Sequence, residues 1–323
     1  MQNISRSPAP ALLSSAGREG LIRRETPLFE DIEPLDLEDF LTGSSSRRKD
    51  FAERLITHLS ERGFFYLERP SALLARHGLE GNFERYEAIY QHALLAHPYL
   101  NDLMHAPTVF QTGYNFTWFP ESTVVRQAIE AFMAKPATWR NFRKQCVPAP
   151  VRDLLEASEE VYRACYAVAL VLLEALELGY GLREGGLLRL FRKQTEGAVR
   201  FVKYHAPNAT RLRRQLITHA SEPHSDKSFF TFNLGESRPG LVWLGGDRPC
   251  LLPNGEGHWL ITSGRYSEGL TRLLDRPVMP FPHTVHNDGE RVVILGFVTP
   301  EGMLHDIPVE EWPMPRLASS THG

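Results

Sequence analysis

Hydrophobic positions recur along this chain with two different spacings, and the change from one to the other falls near residue 188. From Leu35, the acidic Asp36 and Asp39 precede Phe40 and Leu41, and a polar Gly-Ser-Ser-Ser run follows at 43 to 46. Phe51, Leu55, His58 and Leu59 then recur at helical spacing, which predicts a helix over about residues 47 to 62 that stops at Gly63. The run Phe64-Phe65-Tyr66-Leu67 is short, aromatic and closed by Pro70, which is strand chemistry, so the first 70 residues read strand, helix, strand. Residues 80 to 150 read as mainly helical pieces interrupted by an irregular aromatic segment from Gly113 to Pro120. From Val151 to Leu178, Val161, Cys165, Val168, Leu172 and Leu176 recur at i+3 and i+4, the strongest helix signal in the chain, with Gly179 as its stop. Asp153, Glu156, Glu159 and Glu160 suit the positive end of that helix and read as a solvated face.

Beyond residue 188 the period becomes 2. Arg200–Tyr204, Ser228–Leu234, Leu241–Leu244, His258–Thr262 and Arg291–Val298 are β-rich runs separated by Pro, Gly, Asn and Asp. This predicts an antiparallel sheet structure, a sandwich or jelly roll, beneath a helical N-terminal part: an α+β fold. Neither a Gly-x-Gly-x-x-Gly nor a Gly-Lys-Ser/Thr loop stands at a strand-to-helix junction, which disfavours a nucleotide-binding α/β fold. Residues 1 to 27 lack an apolar period and read as a mobile leader, 28 to 310 as a single domain (28 to 187 mainly helical, 188 to 300 the β core), and 311 to 323 as a loose tail.

Composition narrows the function classes. The 323 residues are 42% hydrophobic and 23% charged, which is globular. A formal charge of -3 supplies no footprint for nucleic acid or an anionic membrane. The most apolar run, Ala164 to Leu173, is half the length of a membrane span, about 20 residues, and the N-terminus lacks a secretory pattern. Three widely spaced cysteines, Cys146, Cys165 and Cys250, suit reduced thiols in a cytoplasm. A cytoplasmic monomer or weak homo-oligomer acting on a small molecule is the expectation.

The candidate chemistry lies at His224-Ser225-Asp226, ahead of the run through Phe230 and Phe232. Residues two apart on a strand share a face, so the pair reads as an imidazole and a carboxylate side by side, a two-point metal clamp. Chance yields such pairs too: His286 and Asp288 form a second, in which Asn287-Asp288-Gly289 is turn chemistry. Around that turn a hairpin is expected. A three-residue loop sets His283 opposite Val293 and Val285 opposite Arg291, whereas a two-residue turn brings His286 opposite Arg291 and makes it the better ligand. Two imidazoles and one carboxylate form the facial triad of non-haem Fe(II) sites, and an arginine on the same face suits a carboxylate co-substrate. Spacing alone leaves open the alternative of polar strand-end histidines and a surface arginine.

Several stretches together resemble the iron- and 2-oxoglutarate-dependent oxygenases of the isopenicillin-N-synthase-like family. Ile32 to Asp36 and Arg62-Gly63-Phe64-Phe65-Tyr66-Leu67 are similar to its N-terminal region, and Val199 to Pro207 to the strand whose tyrosine, here Tyr204, contacts 2-oxoglutarate. Pro223-His224-Ser225-Asp226 resembles the His-x-Asp strand. Ser263-Gly264, then Arg276-Pro277 through Val285, resembles the segment leading to the distal histidine, which selects His283 over His286. Arg291 and Phe297 match the terminal Arg-x-Ser motif and its trailing aromatic, with Val293 where the family has serine. The likeness spans about residues 30 to 300 and implies a double-stranded β-helix (jelly-roll) core. It further implies Fe(II) on His224, Asp226 and His283, and 2-oxoglutarate held through Arg291 and Tyr204 with one hydrogen bond fewer at Val293. With O2 as oxidant, the implied reaction is hydroxylation of a small metabolite with decarboxylation of 2-oxoglutarate to succinate. Asp226 argues against a halogenase, which would give that position to chloride.

The substrate is not legible: Gln111, Tyr114, Asn115, Phe116 and Trp118 suit the mouth of the barrel and plain packing equally. Val293 keeps alive a 2-oxoglutarate-independent oxidase of the isopenicillin N synthase type, and a non-catalytic jelly-roll binding protein is the reading from another class. His205, His219 and His286 read as polar neighbours of the site.

Overall fold

The computed structural model describes residues 29, 33–96, 113–118, 125–132, 148–192, 197–205, 219–254, 257–286 and 289–301, with 113–118, 125–132 and 219–222 described by backbone alone. The expected leader 1–27 and tail 311–323, together with Gln111 and Cys146, lie outside them.

In chain order the elements are α1 (Leu37–Leu41), α2 (Ser45–Glu61), β1 (Phe64–Glu68), α3 (Ser71–Arg76), α4 (Phe83–Leu95), β2 (Gly113–Trp118), β3 (Val125–Phe132), α5 (Ala149–Gly179) and, after a 3-10 turn at Leu188–Phe191, β4 (Gly197–Tyr204). There follow β5 (His219–His224), β6 (Phe230–Glu236), β7 (Leu241–Trp243), β8 (Cys250–Leu252), β9 (His258–Ser263), α6 (Arg265–Thr271), β10 (His283–His286) and β11 (Arg291–Val298). Local chemistry sets the helix starts: Asp36, Ser44 and Asn82 each accept an N–H of the first turn that follows. Helix α5 stops at Gly179 as expected, and Gly181, at φ +62, makes the turn beyond it: the Gly181 and Leu182 N–H groups close back on the carbonyls of Leu178 and Glu177.

A seven-stranded antiparallel sheet, in the order β1-β9-β6-β11-β4-β3-β2, faces a four-stranded one, β5-β10-β7-β8. This is the predicted jelly roll, extended by strands from the helical half of the chain. The aromatic segment expected to be irregular is the regular edge strand β2, paired to β3, which itself pairs with β4. The strand expected near Leu35 reduces to a single parallel bridge between Leu35 and Leu67. Strand β8 and helix α6 were not expected from the pattern.

Alternation along β11 builds both sides of the larger sheet. Val292, Ile294 and Val298 join the main core with Leu172, Leu176 and Phe201, while Arg291, Val293, Leu295 and Phe297 line the cavity between the sheets. The core side is where α5 packs, together with α2 and α4. Arg85 of α4 holds Glu160 of α5 by paired contacts of 2.8 and 2.9 Å, so that part of the acidic face is a clasp, whereas Asp153 and Glu156 are exposed as expected. The approach is tight at Gly296, where an added Cβ would lie 2.4 Å from Cys165 Sγ. Gly296→Ala is therefore expected to cost about 1–3 kcal/mol in urea unfolding, and the added substitution Cys165→Ala to recover most of it.

Candidate metal centre

The hairpin expected around Asn287-Asp288-Gly289 does not form. β10 pairs with β5 and β7 in the small sheet, and β11 pairs with β4 and β6 in the large one, so the two runs belong to different sheets. Both registers considered for that hairpin are thereby overturned. His283 and Arg291 still share a cavity, but they reach it from opposite sheets. The His224 and Asp226 pairing also has a different origin from the one expected: His224 ends β5, and Asp226 lies in the connection before β6. The side chains meet through this crossing between sheets, not through strand alternation.

Strand β10 brings the third group, since His283 is the backbone partner of His224. The two imidazole rings are 4.4 Å apart, and His224 Nε2 is 3.8 Å from Asp226 Oδ1. One ligand atom from each of His224, Asp226 and His283 lies within 4.8 Å of the others, the one such group of three among the described residues. His286, at the other end of β10, and His205, beyond β4, stand outside it.

Neighbouring groups orient each ligand. Thr231 Oγ1 donates to Asp226 Oδ2 at 2.7 Å and is itself 2.7 Å from Ser228 Oγ, which leaves Oδ1 for a metal. His283 Nδ1 is 3.2 Å from the Phe281 carbonyl, the geometry of an Nδ1–H donor, so Nε2 keeps its lone pair. Burial holds the His283 imidazole below its ordinary pKa, with Asp226 pulling the other way, and favours the neutral ligating form. Phe281 stacks on that ring at 5.1 Å, and Ser263 Oγ, bonded to the Gly63 carbonyl, ties β9 to the start of β1 beside this connection. Arg276 pairs with Glu53 of α2, and Tyr180, just past the end of α5, donates to the Arg276 carbonyl, so two helices fix the segment that delivers His283. Exposure rises from His283, 7%, to the His224 side chain, 44%, so the group is backed by protein on one side and open on the other. Thr231→Val should weaken Fe(II) binding about 10–100-fold with the fold retained, as read by anaerobic metal titration and circular dichroism.

Arg291, Tyr204 and Val293 line the same cavity. The Arg291 guanidinium lies 5.0 Å from the Tyr204 ring centroid, its backbone partner across the sheet. Val293 packs with Val202, Tyr204 and Val285, so its surroundings are apolar. A residue the sequence reading missed stands beside them: Glu236, its side chain wholly buried, accepts from Arg291 Nε at 3.0 Å and Nη2 at 2.7 Å. Burial pushes the Glu236 carboxyl up and the arginine pulls it back. The sequence signal was faint, a single acidic residue closing a β run.

No family model matches the chain, and no curated protein matches it. Solved structures do. A full-length Neurospora crassa protein in complex with alpha-KG aligns over 90% of this chain and 96% of its own, with a TM-score of 0.65 at 13% identity. The dioxygenase for auxin oxidation 1 from Arabidopsis thaliana, as its 2-oxoglutarate complex, aligns over 88% and 100% with a TM-score of 0.61 at 19% identity. JOX2 in complex with 2OG, Fe and JA aligns over 92% and 80% with a TM-score of 0.63 at 18% identity. What these chains share with this one is the fold.

Proposed function

We propose that this chain is a non-haem Fe(II)- and 2-oxoglutarate-dependent oxygenase that hydroxylates a C–H bond of a small molecule. The observation that carries the reading is the convergence of His224, Asp226 and His283 on one cavity that also holds Arg291. The donor set fits the metal: two imidazoles and one carboxylate on one side are the Fe(II) facial triad, and ligands about 2.1 Å from a metal stand about 3 Å from one another. The 3.8 Å between His224 and Asp226 needs only a small closure to reach that spacing. When bound, iron with 2-oxoglutarate and O2 supplies oxidising chemistry, with succinate and carbon dioxide as co-products.

The chain's own residues do the rest. His224 and His283 donate neutral nitrogens, and Asp226 supplies the one negative charge through Oδ1 while Thr231 holds Oδ2. The exposed side of His224 leaves an approach for substrate. Val285, Leu295 and Phe297 wall the cavity with apolar surface, which keeps water from the reacting atoms. Arg291, aided by Tyr204, is placed to receive the far carboxylate of the co-substrate. Neighbours of the same fold were solved with thymine and with JA, which supports a small-molecule substrate. No helix among the described residues is long and apolar enough to cross a membrane.

Two observations favour a second reading, a 2-oxoglutarate-independent Fe(II) oxidase: Arg291 is already engaged by Glu236, and Val293 offers no hydroxyl. Incubation of the Fe(II)-loaded chain with 2-oxoglutarate in air separates the two. Slow formation of succinate without added substrate supports the first, and iron-bound protein that makes none overturns it.

A further inference from the structure

Resting on the Fe(II)/2-oxo acid reading, the far end of the cavity bears on which 2-oxo acids enter. Arg291, 3% exposed, is fixed on several sides. Glu236 takes Nε and Nη2, the Tyr204 ring lies 5.0 Å away, and Gly240 approaches so closely that a Cβ there would stand 2.5 Å from Nη1. Among the described residues, the buried Nη1 of Arg291 has no hydrogen-bond partner. A carboxylate that enters the cavity beside Arg291 meets a cation whose charge a buried carboxylate already balances. Attraction to the arginine and repulsion from Glu236 act over similar distances in the same low-dielectric region and largely cancel. The nearby wall is Val285, Val293, Leu241 and Leu295, which favours an aliphatic tail over a charged one.

We propose that Glu236 relaxes co-substrate choice, so that 2-oxo acids with short uncharged tails bind about as well as 2-oxoglutarate. Turnover balances in the same way for each. The C1–C2 bond of the 2-oxo acid breaks and releases carbon dioxide, one oxygen atom of O2 enters the resulting carboxylate, and the other is inserted into the substrate C–H bond. Two electrons come from the 2-oxo acid and two from the substrate, and O2 takes all four.

The experiment is an anaerobic titration of the Fe(II)-loaded chain with 2-oxoglutarate, 2-oxopentanoate and 4-methyl-2-oxopentanoate, read by the visible charge-transfer absorption of a chelated 2-oxo acid. Dissociation constants for 2-oxoglutarate and the better aliphatic acid are expected within about tenfold of each other. In Glu236→Gln, whose amide oxygen still accepts from Arg291, preference for 2-oxoglutarate is expected to rise at least about tenfold. A wild-type preference for 2-oxoglutarate above tenfold overturns the proposal while leaving the oxygenase reading in place, and so does a Glu236→Gln variant with full iron content and an unchanged ratio. Absorption with none of the three acids on iron-loaded protein overturns the 2-oxo acid reading and this proposal together. Should Glu236→Gln fail to fold, the wild-type ratio decides alone.

Discussion

Asp226→Ala is expected to abolish iron retention and lower turnover by at least about 1,000-fold, equivalent to about 4 kcal/mol at the transition state. The carboxylate is the only anion among the three grouped ligands, and it offsets the charge of a divalent ion that two neutral imidazoles cannot. It is also the fixed member: Thr231 holds its Oδ2, and its backbone carbonyl accepts from the Arg265 N–H. Removing the side chain leaves the crossing between β5 and β6 intact, so circular dichroism should be unchanged while iron content falls. A variant with full iron content and full activity would sink the ligand assignment.

The second large effect is one of stability. Glu177, 4% exposed near the end of α5, accepts N–H groups from Gly185 at 2.8 Å, Leu187 at 2.6 Å and Leu188 at 3.0 Å. Its carboxylate thus holds the turn after α5 in shape. Glu177→Ala leaves one buried donor, Leu187 N–H, and two half-buried ones, Gly185 and Leu188 N–H, without that acceptor, and the expected cost is about 2–4 kcal/mol in urea unfolding. Glu177→Gln, which keeps one acceptor oxygen, should cost less. A loss below about 1 kcal/mol for the alanine variant would show that the turn is held by other contacts.

How far the sequence carried the reading depended on whether the deciding interactions were local. Helix α5 was legible because its apolar positions keep the helical period over many turns, and β11 because it alternates between the α5 side and the cavity. Strand β3, Val-Arg-Gln-Ala-Ile-Glu-Ala-Phe, carries helix-favouring Ala, Glu and Gln, and its pairing with β4 overrides that preference. The turn signal at 287 to 289 was read as a hairpin, but turn chemistry reports only a change of direction. Which sheet each arm joins is decided by partners far away in sequence.

The candidate site divides along the same line. His224 and Asp226 are close in sequence, and the resemblance chose His283 over His286 although the hairpin register used to compare them does not exist. The structure brings together the residues expected to hold metal and co-substrate, whereas Glu236 left only a faint signal in the sequence. It meets Arg291 through the pairing of β6 with β11, where β6 carries one extra residue, Leu234, opposite the step from Ile294 to Leu295, which interrupts the alternation of β6.

The most direct test of the central claim is a crystal structure of the chain grown anaerobically with Fe(II) and 2-oxoglutarate. The account predicts an iron anomalous peak bonded to His224, Asp226 and His283, with the 2-oxo acid chelating it inside the cavity that Arg291 lines. Iron bound elsewhere, or no iron at fully formed and accessible triad side chains, would contradict it.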